Sequence, residues 1–291
     1  VSNDILDVKV SIPTIVLPTI SSTEEYALIV SSTASFGAND IVDVIPLTAN
    51  GTNHETWYDF DNTKYFTFGV ASRVSGKFNV EFSAGDYLVG EDAVDLNTEY
   101  SVSAWVRNLG NGGTYVSKGS AYDFRINSSG NVEVVINGST RISSSQTIND
   151  SKWHHIATTF TGGNLHLFID GVEDANSPVS SVANPLSTSD RFAIGVVYTN
   201  KNSISTPFNG DIDEVRVWDV ALTQTQIQYI MNQEIENSSS NVNGSVLPQS
   251  TTLNHITAMP WSNVRAYHNI NSFYGTTVED ISNNNNWIRI K

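Results

Sequence analysis

Short runs rich in Val, Ile, Thr, Tyr and Phe fill almost all of the chain before Ala221, broken by Gly, Asn, Asp and Ser about every ten residues, the rhythm of an all-β protein. In Tyr100-Ser-Val-Ser-Ala-Trp-Val106 alternation places Tyr100, Val102, Ala104 and Val106 on one face of a strand. Tyr122, Phe124 and Ile126 alternate in the same way, as do Val132, Val134 and Ile136, so half-buried antiparallel strands are expected. Between them Ser129-Gly-Asn131, Asn137-Gly138, Gly162-Gly163 and Asp170-Gly171 supply residues that tolerate positive φ. The pattern predicts a meander of hairpins from Tyr115 to Val172.

The period changes after Ala221. Thr223 stands at an N-cap position, Gln226 completes a capping-box spacing, and Ile227, Ile230, Met231 and Ile235 recur as a helical stripe. One helix is expected there, covering an end of the β layers. Glu236 to Ser250 is polar and aperiodic and reads as a linker. At the front, Glu25-Tyr-Ala-Leu-Ile-Val-Ser31 reads as a strand, Thr48 to Thr52 as a turn, and Trp57 to Gly69 as a hairpin around Asp61-Asn62. Proline at 13 and 18 bounds an extended connector.

The length of 291 residues predicts two domains or one large sandwich with appendages. No apolar run approaches the roughly 20 residues of a membrane helix, so no membrane insertion is expected. Fifteen Lys and Arg against thirty Asp and Glu give a formal charge of -15, which repels phosphate backbones and anionic lipid and argues against nucleic-acid binding. An acidic surface of this kind suits neutral glycans, basic partners or divalent cations. The absence of cysteine removes disulfides, thiolate metal sites and Cys nucleophiles. Residues 1–20 lack a signal-peptide pattern, so Val1 is expected to be a mature or cut boundary.

Four segments carry a resemblance: Gly76-Lys-Phe-Asn-Val-Glu-Phe-Ser-Ala-Gly-Asp-Tyr-Leu88, Ser151-Lys-Trp-His-His-Ile-Ala-Thr-Thr-Phe160, Asn164-Leu-His-Leu-Phe-Ile-Asp-Gly171 and Gly210-Asp-Ile-Asp-Glu-Val-Arg-Val-Trp218. In this order they resemble the laminin-G-like branch of the concanavalin A-like jelly rolls. The resemblance implies an all-β antiparallel two-sheet jelly-roll sandwich with one short C-terminal helix, preceded by a small β module. The expected division is 1–72 as that module or extension, 73–236 as the jelly roll, 237–260 as linker and 261–291 as a further repeat or extra β segment. Trp261-Ser-Asn-Val-Arg-Ala-Tyr267 and Tyr274-Gly-Thr-Thr-Val-Glu-Asp280 look like a repeat's opening strands. The same resemblance implies a large secreted or cell-surface bacterial protein and a fold that binds more often than it catalyses.

Asp213 is the odd carboxylate. Strict alternation puts it on a face with Val215 and Val217 and sends Glu214, Arg216 and Trp218 the other way. A buried carboxylate needs backbone donors, a cation or a metal. Bracing a loop and binding calcium both satisfy this. Asp211 lies on the same face and Asp86 ends a strand that the resembled fold brings near, so Asp86, Asp211 and Asp213 are the expected Ca2+ ligands. Jelly-roll glycoside hydrolases use an alternating Glu-x-Asp-x-x-Glu strand with carboxylates about 5 Å apart in retaining enzymes. Here the first acid is Asp and Glu214 falls on the wrong face, so no catalysis is expected.

His154 and His155 are adjacent, face opposite ways and cannot share one metal, and His166 is expected to face out. Trp105, Trp153 and Trp218 read as packing residues. Tyr115, Tyr122 and Tyr198 are the expected sugar platform, with Asn200, Asn202 and Asn209 as hydrogen-bonding partners. The expected function is therefore non-catalytic recognition of a glycan or other cell-surface ligand, stabilised by calcium. A structural spacer in a repeated stalk and an accessory domain of a polysaccharide-degrading enzyme are the alternatives.

Overall fold

The computed structural model describes residues 8–60, 63–76, 78–83, 85–245 and 255–291. They divide into two compact units, one of residues 1–77 with 271–279 and one of residues 78–270 with 280–291.

The larger unit is a sandwich of two antiparallel sheets. The first runs Val172–Glu173, Asn164–Ile169, Trp153–Thr161, Glu99–Asn108, Gly210–Trp218 and Val264–His268, with Val80–Phe82 pairing along the front half of Gly210–Trp218. The second runs Ser139–Thr147, Asn131–Ile136, Tyr122–Ile126, Gly113–Lys118, Phe192–Ile194, Leu88–Val89 and Ile288–Ile290. The meander read from sequence is therefore shared between the layers. Its first four strands lie in the second sheet and its last three in the first. Asn137-Gly138, Gly162-Gly163 and Asp170-Gly171 all have positive φ, as two-residue hairpin turns with the right twist require.

The alternating residues meet between the layers. Tyr100, Val102, Ala104 and Val106 from one sheet and Tyr122, Phe124, Ile126, Val132, Val134 and Ile136 from the other are all buried, and Tyr100 stacks on Phe160 at 5.0 Å. Each such side chain contributes about 1.5–3 kcal/mol by leaving water. Ala157, Phe168 and Trp218, on the opposite face of the first sheet, are buried by a second cluster containing Ile227, Ile230, Ile235, Val242 and Trp261. The helix and the C-terminal segments thus cover that face.

The helix spans Gln224–Ile230, and Thr223 and Gln226 form the expected capping box. It ends before the predicted stripe does. Ile235 is buried in a strand, Ile235–Ser238, which pairs with Asn241–Gly244, itself paired with His255–Pro260. The expected linker at 237–260 is corrected accordingly, the part at 246–254 lying outside the described residues. Of the two alternatives for 261–291, the pairings match an extra β segment: Val264–His268 pairs with Gly210–Trp218 and Ile288–Ile290 with Leu88–Val89, so these two strands belong to the sandwich.

In the smaller unit Tyr65–Ser75 pairs with Glu24–Ser31, which pairs with Ile41–Pro46, while Ser272–Tyr274 adds to the free edge of Tyr65–Ser75. A separate three-stranded sheet contains Val8–Pro13, Asn53–Tyr58 and Thr48–Asn50. Trp57 and Phe66 therefore lie on strands of different sheets, which corrects the hairpin expected over 57–69. Its turn at 61–62 lies outside the described residues. Leu28, Val30, Ile45, Leu47 and Tyr58 form this unit's core, and the Tyr58 hydroxyl donates to Asp43 at 2.6 Å.

Candidate functional site

A groove of about 540 Å³ opens in the larger unit where three loops meet the second sheet, lined by Asn111, Gly112, Gly113, Arg125, Ile126, Asn127, Ser128, Glu133, Thr206, Pro207 and Asn209. Two glycines make its floor. A Cβ on Gly112 would stand 2.2 Å from the Ile126 carbonyl oxygen, and one on Gly113 2.4 Å from that of Pro207. Backbone meets backbone there, and both glycines have positive φ.

The polar groups around this floor are held before any ligand arrives. Asn127 Oδ1 accepts from the backbone N–H groups of Ser129 and Asn131, at 2.9 and 3.1 Å, and its amide donates to Glu133 at 2.9 Å. Arg125 Nε donates to the other Glu133 oxygen at 2.9 Å, and its Nη1 reaches Asp123 at 3.3 Å. Thr114 hydroxyl bonds Asp123 at 2.7 Å and meets Thr206 at 2.7 Å. Burial raises the Asp123 carboxyl pKa, with Thr114 and Arg125 opposing that shift. The result is an ordered row of donors and acceptors, with one guanidinium between two carboxylates.

A second, smaller cavity of about 290 Å³ is lined by Trp105, Asp213, Glu214, Met231, Asn232, Gln233 and Glu234. It exists because Gly210–Trp218 carries a β-bulge. Asp213 faces Trp105 across the sheet and Arg216 faces Ser103, so Glu214 and Val215 together oppose Ala104. Glu214 takes up the extra residue with φ +54. The bulge reverses the alternation, so Asp213 shares the outer face with Arg216, not the core face with Val215 and Val217. Glu214 lines the cavity beside Asp213, which also corrects the reading that opposed the two.

These acids are structural. Arg216, 1% exposed, donates to Glu214, to the Gln233 carbonyl and at 2.8 Å to the Ile230 carbonyl, while Tyr267 hydroxyl donates to Glu214 at 2.9 Å. With Trp105 Nε1 donating to the Met231 carbonyl at 2.6 Å, the cluster closes the C-terminal end of the helix. Asp213 Oδ1 accepts the Glu214 N–H at 2.8 Å. Burial, and then the neighbouring Glu214 charge, push the Asp213 carboxyl up to about 7. The folded state therefore holds this proton where the unfolded chain has lost it, so Asp213 costs stability as pH rises from about 4, fully so above about 7. Asp213→Asn is expected to stabilise the protein by about 2 kcal/mol at pH 8 and by much less at pH 4, read from urea melts at both pH values. A gain independent of pH would count against a proton held by Asp213.

The three carboxylates expected to bind calcium are used otherwise. Asp86 accepts the Ser83 N–H at 2.9 Å, and Asp211 accepts from Arg107 at 2.6 Å and Asn79 at 2.7 Å. Among the described residues no group of three or more His, Asp or Glu side chains is arranged to hold a metal ion. Asp92 and Asp95 converge on the buried Lys118 ammonium, the first at 2.8 Å. Asp211 is thus paired with Arg107 while Asp86 and Asp213 accept backbone N–H groups, and the three do not fit a calcium site. The tyrosine platform is likewise corrected. Tyr115 and Tyr122 are 1% exposed, the latter donating to the Val94 carbonyl, and Tyr198 is 8% exposed and packs on Tyr87 at 5.8 Å. Asn200 and Asn202 are exposed on the Val197–Asn200 and Ser203–Ser205 hairpin, outside the groove lining, whereas Asn209 lines it.

Two antiparallel sheets in this order, with their inner faces packed together, define a concanavalin A-like jelly roll. The family model described as the concanavalin A-like lectin/glucanases superfamily, in its laminin-G-like branch, matches residues 82–228, just over half of the chain. The chain belongs to this family. A sushi, von Willebrand factor type A, EGF and pentraxin domain-containing protein of Rattus norvegicus is 30% identical over 98 residues, 32% of this chain and 3% of that protein. The chain thus spans a small fraction of that relative. Among solved structures, a Bacteroides ovatus protein assigned to carbohydrate binding superposes with a TM-score of 0.53 at 16% identity, covering 100% of this chain and 93% of that one. Domain 4 of an extracellular arabinanase from Geobacillus stearothermophilus, in complex with arabinotriose, gives a TM-score of 0.42 at 22% identity over 55% of this chain and 80% of that one.

Proposed function

We propose that the sandwich is a non-catalytic glycan-binding module of a secreted or cell-surface protein, with the Arg125–Glu133 groove as its binding site. The observation that carries this reading is the groove itself. It has the volume of a small-ligand site and polar groups already fixed by hydrogen bonds, so a polyhydroxylated ligand orders little on binding. Family membership and the carbohydrate-binding assignment of the Bacteroides ovatus protein support it. Glu214 supports the non-catalytic part, since its carboxylate is taken by Arg216 and Tyr267. Among the described residues no helix is long and apolar enough to cross a membrane.

Glycan-array screening of the intact chain, followed by calorimetry on the hits, tests the reading. Arg125→Ala is expected to lower affinity at least tenfold, about 1.4 kcal/mol, in a protein that still folds by circular dichroism but melts several degrees lower, because Glu133 and Asp123 lose their cation. Binding is expected to persist in EDTA. An array without hits, or hits indifferent to Arg125→Ala, would remove the groove as the site.

A further inference from the structure

Accepting that reading of the groove, we infer that it selects uncharged glycans through a vicinal diol held between Arg125 and Glu133, and rejects carboxylated and sulfated sugars. Charge is the first ground. The lining contains one cation, Arg125, and one anion, Glu133, with the Asp123 carboxylate directly behind. The formal sum of the three is negative, in a chain whose net charge is -15.

Geometry is the second ground. Arg125 is already committed: Nε at 2.9 Å and Nη2 at 2.8 Å both face Glu133, and Nη1 reaches Asp123 at 3.3 Å. A ligand carboxylate or sulfate that took this guanidinium would displace Glu133 and leave it facing a like charge. Glu133, with its side chain 15% exposed, has little water to turn to. A hydroxyl meets no such penalty. A guanidinium has five N–H donors, so Arg125 keeps donor capacity beyond these bonds, and Glu133 Oε1, which accepts the Asn127 amide, keeps a lone pair while Oε2 is taken by Arg125. Adjacent hydroxyls of one sugar ring match this pair, one accepting from Arg125 and the other donating to Glu133, without breaking the ion pair. Asn111 and Asn209 extend the row with neutral amides.

The third ground is that, among the described residues, no aromatic side chain lines the groove. Recognition in this groove therefore rests on hydrogen bonds, and a site built on hydrogen bonds discriminates sharply against a ligand that leaves them unmade.

Matched probes test this on the intact chain: galactotriose against trigalacturonate, and lactose against 3′-sialyllactose, by calorimetry at two salt concentrations. The neutral member of each binding pair is expected to bind at least tenfold more tightly, with an affinity that changes less than twofold between 50 and 500 mM NaCl. Glu133→Gln, its folding checked by circular dichroism and thermal melting, is expected to narrow the neutral-to-acidic ratio about tenfold by freeing Arg125. Tighter binding of the acidic members overturns the inference while leaving the groove a glycan site. Equal binding of a neutral hit and its 2-deoxy or O-methylated form overturns the diol. No binding of any sugar, on the array or here, overturns the groove reading and this inference together.

Discussion

Glu214→Ala is expected to destabilise the sandwich by about 3–5 kcal/mol, measured as a lower urea midpoint at unchanged slope. The size follows from what remains behind. Arg216 lies fully buried over the Tyr267 ring, 5.3 Å from its centroid, and its guanidinium cannot shed its charge. With the carboxylate gone, Arg216 keeps the Ile230 and Gln233 carbonyls, the Tyr267 hydroxyl and the weaker pull of the Asp213 carboxyl, and a buried charge without its paired carboxylate is costly. The double variant Glu214→Ala with Arg216→Met is expected to recover at least half of the loss, because it removes the stranded charge along with its partner. A single variant within about 1 kcal/mol of wild type would show that water reaches the guanidinium and that the cluster does not hold the helix end.

The second large effect lies in the groove floor. Gly112→Ala is expected to abolish glycan binding on the array and to cost about 2–4 kcal/mol, since the new methyl meets the Ile126 oxygen at 2.2 Å and the Asn127 oxygen at 2.7 Å, both rigid backbone. Gly138→Ala is the control. Gly138 has φ +72 but open space around its Cβ direction, so alanine there faces only the left-handed conformation, about 1–2 kcal/mol, and leaves binding intact. Equal effects of the two substitutions would reduce the floor to an ordinary turn.

The two-layer architecture was legible because it rests on local alternation. Tyr100 to Val106 and Tyr122 to Ile126 bury the very faces that period two assigns them. Tyr122 exposes a conflict within the sequence reading, since its alternation with Phe124 already placed it in the core and excluded it from a platform. Tyr115 was hidden for another reason: it sits where the register against Tyr122–Ile126 shifts, between Thr114 and Val116. Asp213 failed in the same way, because one inserted residue inverts the faces on either side of the bulge and its position is set by the partner strand. Residues 235–244 hid two strands because Ile235 and Val242 are their only large apolar residues, and these find their cluster only in three dimensions. The groove was beyond reach of spacing. Its walls come from residues 111–113, 125–128, 133, 206, 207 and 209, which lie far apart in the chain.

The strand Ile288–Ile290 pairs with Leu88–Val89, and Val264–His268 closes beside the back half of Gly210–Trp218. Read as a schedule of synthesis, this means that a chain emerging from its amino end holds Leu88 with an open edge until about two hundred further residues have been made. Contacts so distant in sequence slow folding and leave unpaired strand edges exposed meanwhile. The strand Ile288–Ile290 is thus the latch of the sandwich, whose closure waits on contacts far apart in sequence.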